Sequence, residues 1–250
     1  MTKTARDRLI VALDVDSAER ALKLFDELRE TVGMFKVGPQ LFIAAGPEIV
    51  RAFIRRGGRV FLDLKSHDIP NTVAAAGVEA TRLGVSIFNI HAFGGAEMMK
   101  WTVEAVAETA AREGLTKPKV IAVTLLTSLD QTWLKQIGIN DEPPAVVARL
   151  ARAAAECGLD GVVASAQEIE TIRHVVPDRH FLIVTPGIRS TAPTQDQRRI
   201  LNAVDAIRAG ADYLVVGRPI LNADDPTVAA RKIVEEIDTA MRPVGKAASD

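Results

Sequence analysis

The sequence predicts an α/β protein, a single-domain (β/α)₈ barrel spanning residues 1–250. Three observations carry this. Eight short Val/Ile/Leu-rich runs alternate with amphipathic segments along the 250 residues, the pattern of a parallel sheet buried on both faces. The length suits an α/β barrel folded as one domain. Polar residues gather at the C-terminal ends of the runs, where barrel active sites lie. An open doubly wound sheet would normally carry a Gly-rich turn after its first strand. Here that turn reads Asp16-Ser17-Ala18-Glu19, a helix cap.

The first strand is expected over Leu9–Val15, with Asp14 near its end, and the capped helix over Ala18–Glu30. Met34–Gly38 is the second strand and carries Lys36. Val60–Lys65 follows Gly57-Gly58 as the third, with Asp63 and Lys65 interrupting its apolar run. Ile69-Pro70 opens the next helix, Thr72–Leu83, since proline is tolerated in a first turn. Ser86–Ala92 is the fourth strand, carrying Asn89 and His91, and the helix Ala96–Glu113 comes after it. The fifth strand, Val120–Thr127, ends in Thr127 and Ser128, before the helix Ala145–Glu156. Gly161–Ser165 and Phe181–Pro186 are the sixth and seventh strands. Arg189 follows the seventh, and a helix covers Thr194–Ala209. Tyr213–Gly217 is the eighth, with Arg218 next. Residues 1–7 and 241–250 are expected to be weakly tethered.

Hydrophobic content of 48% and charged content of 25% are ordinary for a globular protein. A net charge of −1 and 4% aromatic residues argue against a nucleic-acid surface. The single cysteine, Cys157, excludes an intrachain disulfide and reads as a small buried residue. No signal peptide and no membrane span is evident, so a cytoplasmic location is expected. No zinc-type His/carboxylate spacing and no Gly-x-Ser-x-Gly elbow appear. His67 is expected in a loop, His91 hydrogen-bonded at the barrel mouth, and His174 and His180 in solvent. Trp101 and Trp133 are expected to pack.

Residues two apart on a strand point to one side, so Asp63 and Lys65 project together. Asp14, Lys36, Asp63 and Lys65 then form an alternating charged set. Asp68, in the turn beyond, places a second acid near Lys65. Flanking carboxylates favour the ammonium form of a lysine, which acts as a general acid and not as a Schiff-base nucleophile. A structural ion-pair network is the plainer reading of the same residues. Pro186-Gly187-Ile188-Arg189 and Gly217-Arg218-Pro219 end consecutive late strands, where barrels often hold phosphate. The plainer alternative is that both arginines cap helices or meet surface acids.

The stretch Asp63-x-Lys65-x-x-Asp68-Ile69-Pro70-Asn71-Thr72 resembles the signature of the orotidine 5′-phosphate decarboxylase family. Val11-Ala12-Leu13-Asp14, Phe35-Lys36-Val37-Gly38, Asn89-Ile90-His91-Ala92, Val123–Ser128, Val184–Arg189 and Val215–Arg218 extend the likeness over nearly the whole chain. The resemblance implies a barrel that needs no cofactor and no metal. It would convert orotidine 5′-monophosphate to UMP and CO₂ in pyrimidine biosynthesis, as a homodimer with shared active sites. Lys65 would protonate C6, within a catalytic set completed by Asp63, Lys36 and Asp68. Lys36 and Asp14 would hold the ribose, while Asp68, Ile69 and Thr72 would reach the partner's site. Ser128, beside Thr127, would lie near the pyrimidine. Arg189, Gly217 and Arg218 would hold the phosphate next to Pro186. Gln197 is the better match for a phosphate-gripping glutamine, with Gln195 open. Magnesium-dependent sugar-phosphate relatives carry an acid where this chain has Lys36. A non-catalytic sensor would have lost a member of the charged set, and none is lost.

Overall fold

The strands close on themselves because each is apolar on both faces and needs cover on both. In the computed structural model, which describes residues 3–188 and 202–242, eight parallel strands form a closed barrel in sequence order. They are β1 (Leu9–Ala12), β2 (Met34–Val37), β3 (Val60–Ser66), β4 (Ile87–His91), β5 (Lys119–Val123), β6 (Gly161–Val163), β7 (Leu182–Pro186) and β8 (Tyr213–Val216). β1 pairs with β8 through Leu9↔Leu214 and Val11↔Val216, which completes the ring. Helices stand outside, among them Ala18–Leu28, Pro70–Leu83, Gly95–Glu113, Pro143–Glu156, Ala203–Ala209 and Pro226–Met241.

Alternation along the strands divides the core in two. Leu9, Val11, Phe35, Val37, Val60, Leu62, Phe88, Ile90, Val120 and Ala122 pack outward against the helices. Ile10, Ala12, Met34, Phe61, Ile87, Ile121, Leu182, Val184, Tyr213 and Val215 fill the barrel. Continuing the inward series toward the C-terminal ends replaces apolar residues by polar ones: Asp14 after Ala12, Lys36 after Met34, Asp63 and Lys65 after Phe61, Asn89 and His91 after Ile87. The strand period of two therefore delivers every one of these residues to the same mouth.

Most strands stop earlier than their apolar runs suggest. β5 ends at Val123, because the chain turns at Leu126, whose carbonyl accepts from the Leu129 N–H at 2.9 Å. Thr127 and Ser128 thus lie exposed beyond the strand. Residues 4–8 are anchored, whereas residues 1–2 and 243–250 lie outside the described residues. Thr4 and Asp7 form a capping box on the turn Ala5–Arg8, Ala5 is buried, and Arg6 donates to the carbonyl of Arg29 at 2.7 Å. Met241 ends the last helix and is partly buried against the core. Trp101 and Trp133 do not pack as expected, being 44% and 40% exposed. Leu134 takes the buried place beside Trp133, and the buried stripe Met98, Thr102, Val106 leaves Trp101 at its edge. Ser17 caps Ala18–Leu28, accepting from the Arg20 N–H. Cys157 is buried, its thiol pKa raised by that burial, and His174 and His180 are exposed, all as expected.

Candidate active site

Lys36 stands between two carboxylates from neighbouring strands. Its Nζ lies 2.9 Å from Asp14 Oδ1 and 3.2 Å from Asp63 Oδ2. Lys65 Nζ lies 2.8 Å from Asp63 Oδ1. Asp63 and Lys36 are buried, and each has its charge answered, which offsets the cost of leaving water. The Lys65 side chain keeps 34% exposure, so solvent can reach it. Gly38 makes room for the array: a Cβ there would come within 2.9 Å of Lys36 Nζ and 3.2 Å of Asp14 Oδ1.

Asn89 is the member of the site for which no role was legible in the sequence. It is fully buried, its Nδ2 donates to Asp63 Oδ1 at 2.6 Å, and its Oδ1 accepts the Lys65 N–H at 2.9 Å. One side chain thereby fixes the carboxylate and the lysine backbone together. An asparagine on the inward side of β4, between Ile87 and His91, was the available signal.

Lys65 sits in an unusual backbone conformation. Its φ of 53° is the only positive value among the described non-glycine residues, a conformation costing about 1–3 kcal/mol. The β3–β4 register shifts at the same place, from Leu62↔Phe88 to Ser66↔Ile90, so β3 spends four residues where β4 spends two. Such bulges re-aim side chains at functional sites. Beyond it, the His67 and His91 rings stack, with centroids 5.2 Å apart and planes at 25°. His91 does not make the expected hydrogen bond through Nδ1, which is buried without a partner. Burial, then His67 and Lys65, push its pKa down.

Asp68 does not flank Lys65 within its own chain. The turn carries it outward, where it is exposed and its Oδ1 accepts the Ile69 N–H at 2.6 Å. Ile69 is 65% exposed, and Thr72 is exposed on the first turn of the helix Pro70–Leu83.

A cavity of about 600 Å³ opens over the array, lined by Asp14, Lys36, Asp63, Pro186, Gly187, Gly217 and Arg218 among others, a size suited to a small ligand. Gly187 has φ 81°, which suits glycine and turns the chain sharply after β7. Gly217 leads into the short helix Arg218–Leu221. Thr127 lines an adjoining cavity of about 570 Å³ that shares Pro186 and Gly187 with the first. Arg189, Gln195 and Gln197 lie outside the described residues.

A closed parallel barrel with an array of paired lysines and carboxylates at its C-terminal mouth, Lys36 and Asp63 buried, defines a (β/α)₈-barrel enzyme. The comparison with known proteins is more specific. A sequence profile of the "Orotidine 5'-phosphate decarboxylase / HUMPS family" matches residues 7–233, and the chain belongs to that family. It is 52% identical over 235 residues to an orotidine 5′-phosphate decarboxylase of Geobacter sulfurreducens, covering 93% of this chain and 97% of the relative. One from Moorella thermoacetica is 51% identical over 236 residues, covering 94% and 93%. Among solved structures, an orotidine 5′-phosphate decarboxylase of Lactobacillus acidophilus superposes with a TM-score of 0.81 at 34% identity, covering 92% of this chain and 98% of the other. An uncharacterized conserved protein of Geobacillus kaustophilus gives 0.80 at 36% identity, covering 92% and 99%.

Proposed function

We propose that this chain decarboxylates orotidine 5′-monophosphate to UMP and CO₂ in pyrimidine biosynthesis, with Lys65 as the proton donor to C6. The observation that carries this reading is the array Asp14–Lys36–Asp63–Lys65 beside a cavity with Arg218 on its rim. The phosphate would meet Gly217 and Arg218, joined by Arg189 and Gln197, and the ribose would meet Asp14 and Lys36. A substrate carboxylate pressed beside Asp63 meets a like charge, worth about 4 kcal/mol at 4 Å and an effective dielectric near 20. The C6–carboxylate bond breaks, its electron pair stays on C6, and neutral CO₂ leaves. The Lys65 ammonium stabilises the developing carbanion and then gives it a proton, which solvent replaces.

The site is read as shared across a homodimer. The support is that Asp68, Ile69 and Thr72 are all exposed on the turn and first helical turn after β3, with no ion pair from Asp68 to Lys65 among the described residues. Phe93 and Trp101, on the next βα unit, add exposed apolar area at 41% and 44%. The sugar-phosphate branch of the family fits less well, since Lys36 puts an ammonium where those relatives carry an acid.

The test follows absorbance loss of orotidine 5′-monophosphate. Lys65→Ala should lose several powers of ten in turnover, each worth about 1.4 kcal/mol. Asp68→Ala alone should also be crippled. Mixed heterodimers of the two variants should regain activity, because one of their two sites carries neither lesion. Near-normal turnover of Lys65→Ala would overturn the proton-donor assignment. Proven heterodimers without activity would overturn the shared site.

A further inference from the structure

We infer that His91 and His67 are positioning residues for Lys65, their stacked rings clamping the top of the β3 bulge as Asp63 and Asn89 clamp its base. The inference rests on the reading of Lys65 as proton donor. Lys65 sits between two β3–β4 contacts made by inward-series residues. Two residues before it, Asp63 accepts from Asn89 at 2.6 Å. Two residues after it, His67 stacks on His91 at 5.2 Å. Between these contacts the ladder register is lost and regained only at Ser66↔Ile90. Lys65 is thus held in its left-handed conformation by side chains at both ends.

The stack rests on packing. His91 Nδ1 has no partner to orient the ring, and Lys65 is close enough to help hold the His91 pKa down. Burial, together with the neighbouring Lys65 ammonium, favours a neutral His91 ring. On the other side of His91, β5 presents Val123 in register and adds no charge. His67 is exposed, so its removal spares the barrel core.

The experiment measures kcat and KM for His67→Ala, His91→Ala, the double variant and His67→Phe, with Lys65→Ala as reference. Each alanine variant should lose about 30-fold to 100-fold in kcat, the scale of a misplacement near 1 Å, with KM changed less than about threefold. The double variant should be no worse than the worse single, because either loss already removes the stack. His67→Phe, which keeps a ring over His91, should restore most of the turnover. Undiminished kcat in His67→Ala, multiplied losses in the double variant, or a His67→Phe as slow as His67→Ala would each overturn the inference. If Lys65→Ala is inactive while the histidine variants are normal, only the stack fails. If Lys65→Ala is active, the proton-donor reading fails with it.

Discussion

Replacing Asn89 by alanine should damage stability and turnover together. The side chain is fully buried and makes two hydrogen bonds, to Asp63 at 2.6 Å and from the Lys65 N–H at 2.9 Å. Losing the first removes a donor from a buried carboxylate, and a hydrogen bond to a charged group is worth about 1.5–3 kcal/mol. Losing the second strands a backbone N–H, at about 1–3 kcal/mol. Asp63 keeps its two lysines, and water entering the vacated space would recover part of the loss, so about 3 kcal/mol is expected. For a chain of this size that lowers the thermal midpoint by about 6–12 °C. Turnover should fall as well, because the backbone of Lys65 loses the partner that holds its positive φ. Calorimetry and initial rates on the same preparation read both effects. A midpoint within about 1 °C of the parent, with turnover within twofold, would refute the idea that Asn89 holds the two residues in place.

Two other perturbations separate binding from folding. Arg218→Ala should weaken UMP strongly and uridine little in calorimetric titration, because charge-assisted contacts to phosphate are strong and directional; equal losses for both ligands would count against it. Glu168 caps the Ser165 turn while partly buried, and that burial raises its carboxyl pKa. Its proton is therefore held more tightly folded than unfolded, so its ionisation weakens the fold as pH rises from the ordinary carboxylate range through the raised value. Glu168→Gln keeps an acceptor for the Ser165 N–H and removes the charge. Its thermal midpoint should match the parent near about pH 4 and exceed it near about pH 7; a gap that does not widen with pH would disprove the link to ionisation.

The barrel and most of the charged array were legible in the sequence for one reason. Apolar alternation and polar interruptions obey the same period of two, so Asp14, Lys36, Asp63 and Lys65 could be placed without coordinates. Strand ends were less legible, since Leu125 stays apolar and buried after its backbone has left the sheet. The left-handed turn at Lys65 leaves no mark, because lysine has no intrinsic preference for it; tertiary contacts impose it. The double role of Asn89 was hidden for the same reason, and so was the His67–His91 stack, which joins residues 24 apart in number. Spacing alone put Asp68 near Lys65, while the family resemblance carried it toward a partner's site; Ile69-Pro70 sets where the helix starts, not where the preceding turn points.

The alternation that fills the barrel also limits how the gene can change. In β2, Met34 and Lys36 face inward while Phe35 packs on Phe25 and Phe53, with ring centroids 4.8 and 6.1 Å away. Deleting one codon before Met34 that shifted the strand by a residue would drive the Lys36 ammonium into that aromatic layer and swing Phe35 into the barrel interior where Met34 sits. Strand lengths are thereby frozen by catalysis and packing at once. An added residue in a loop, by contrast, would move neither layer.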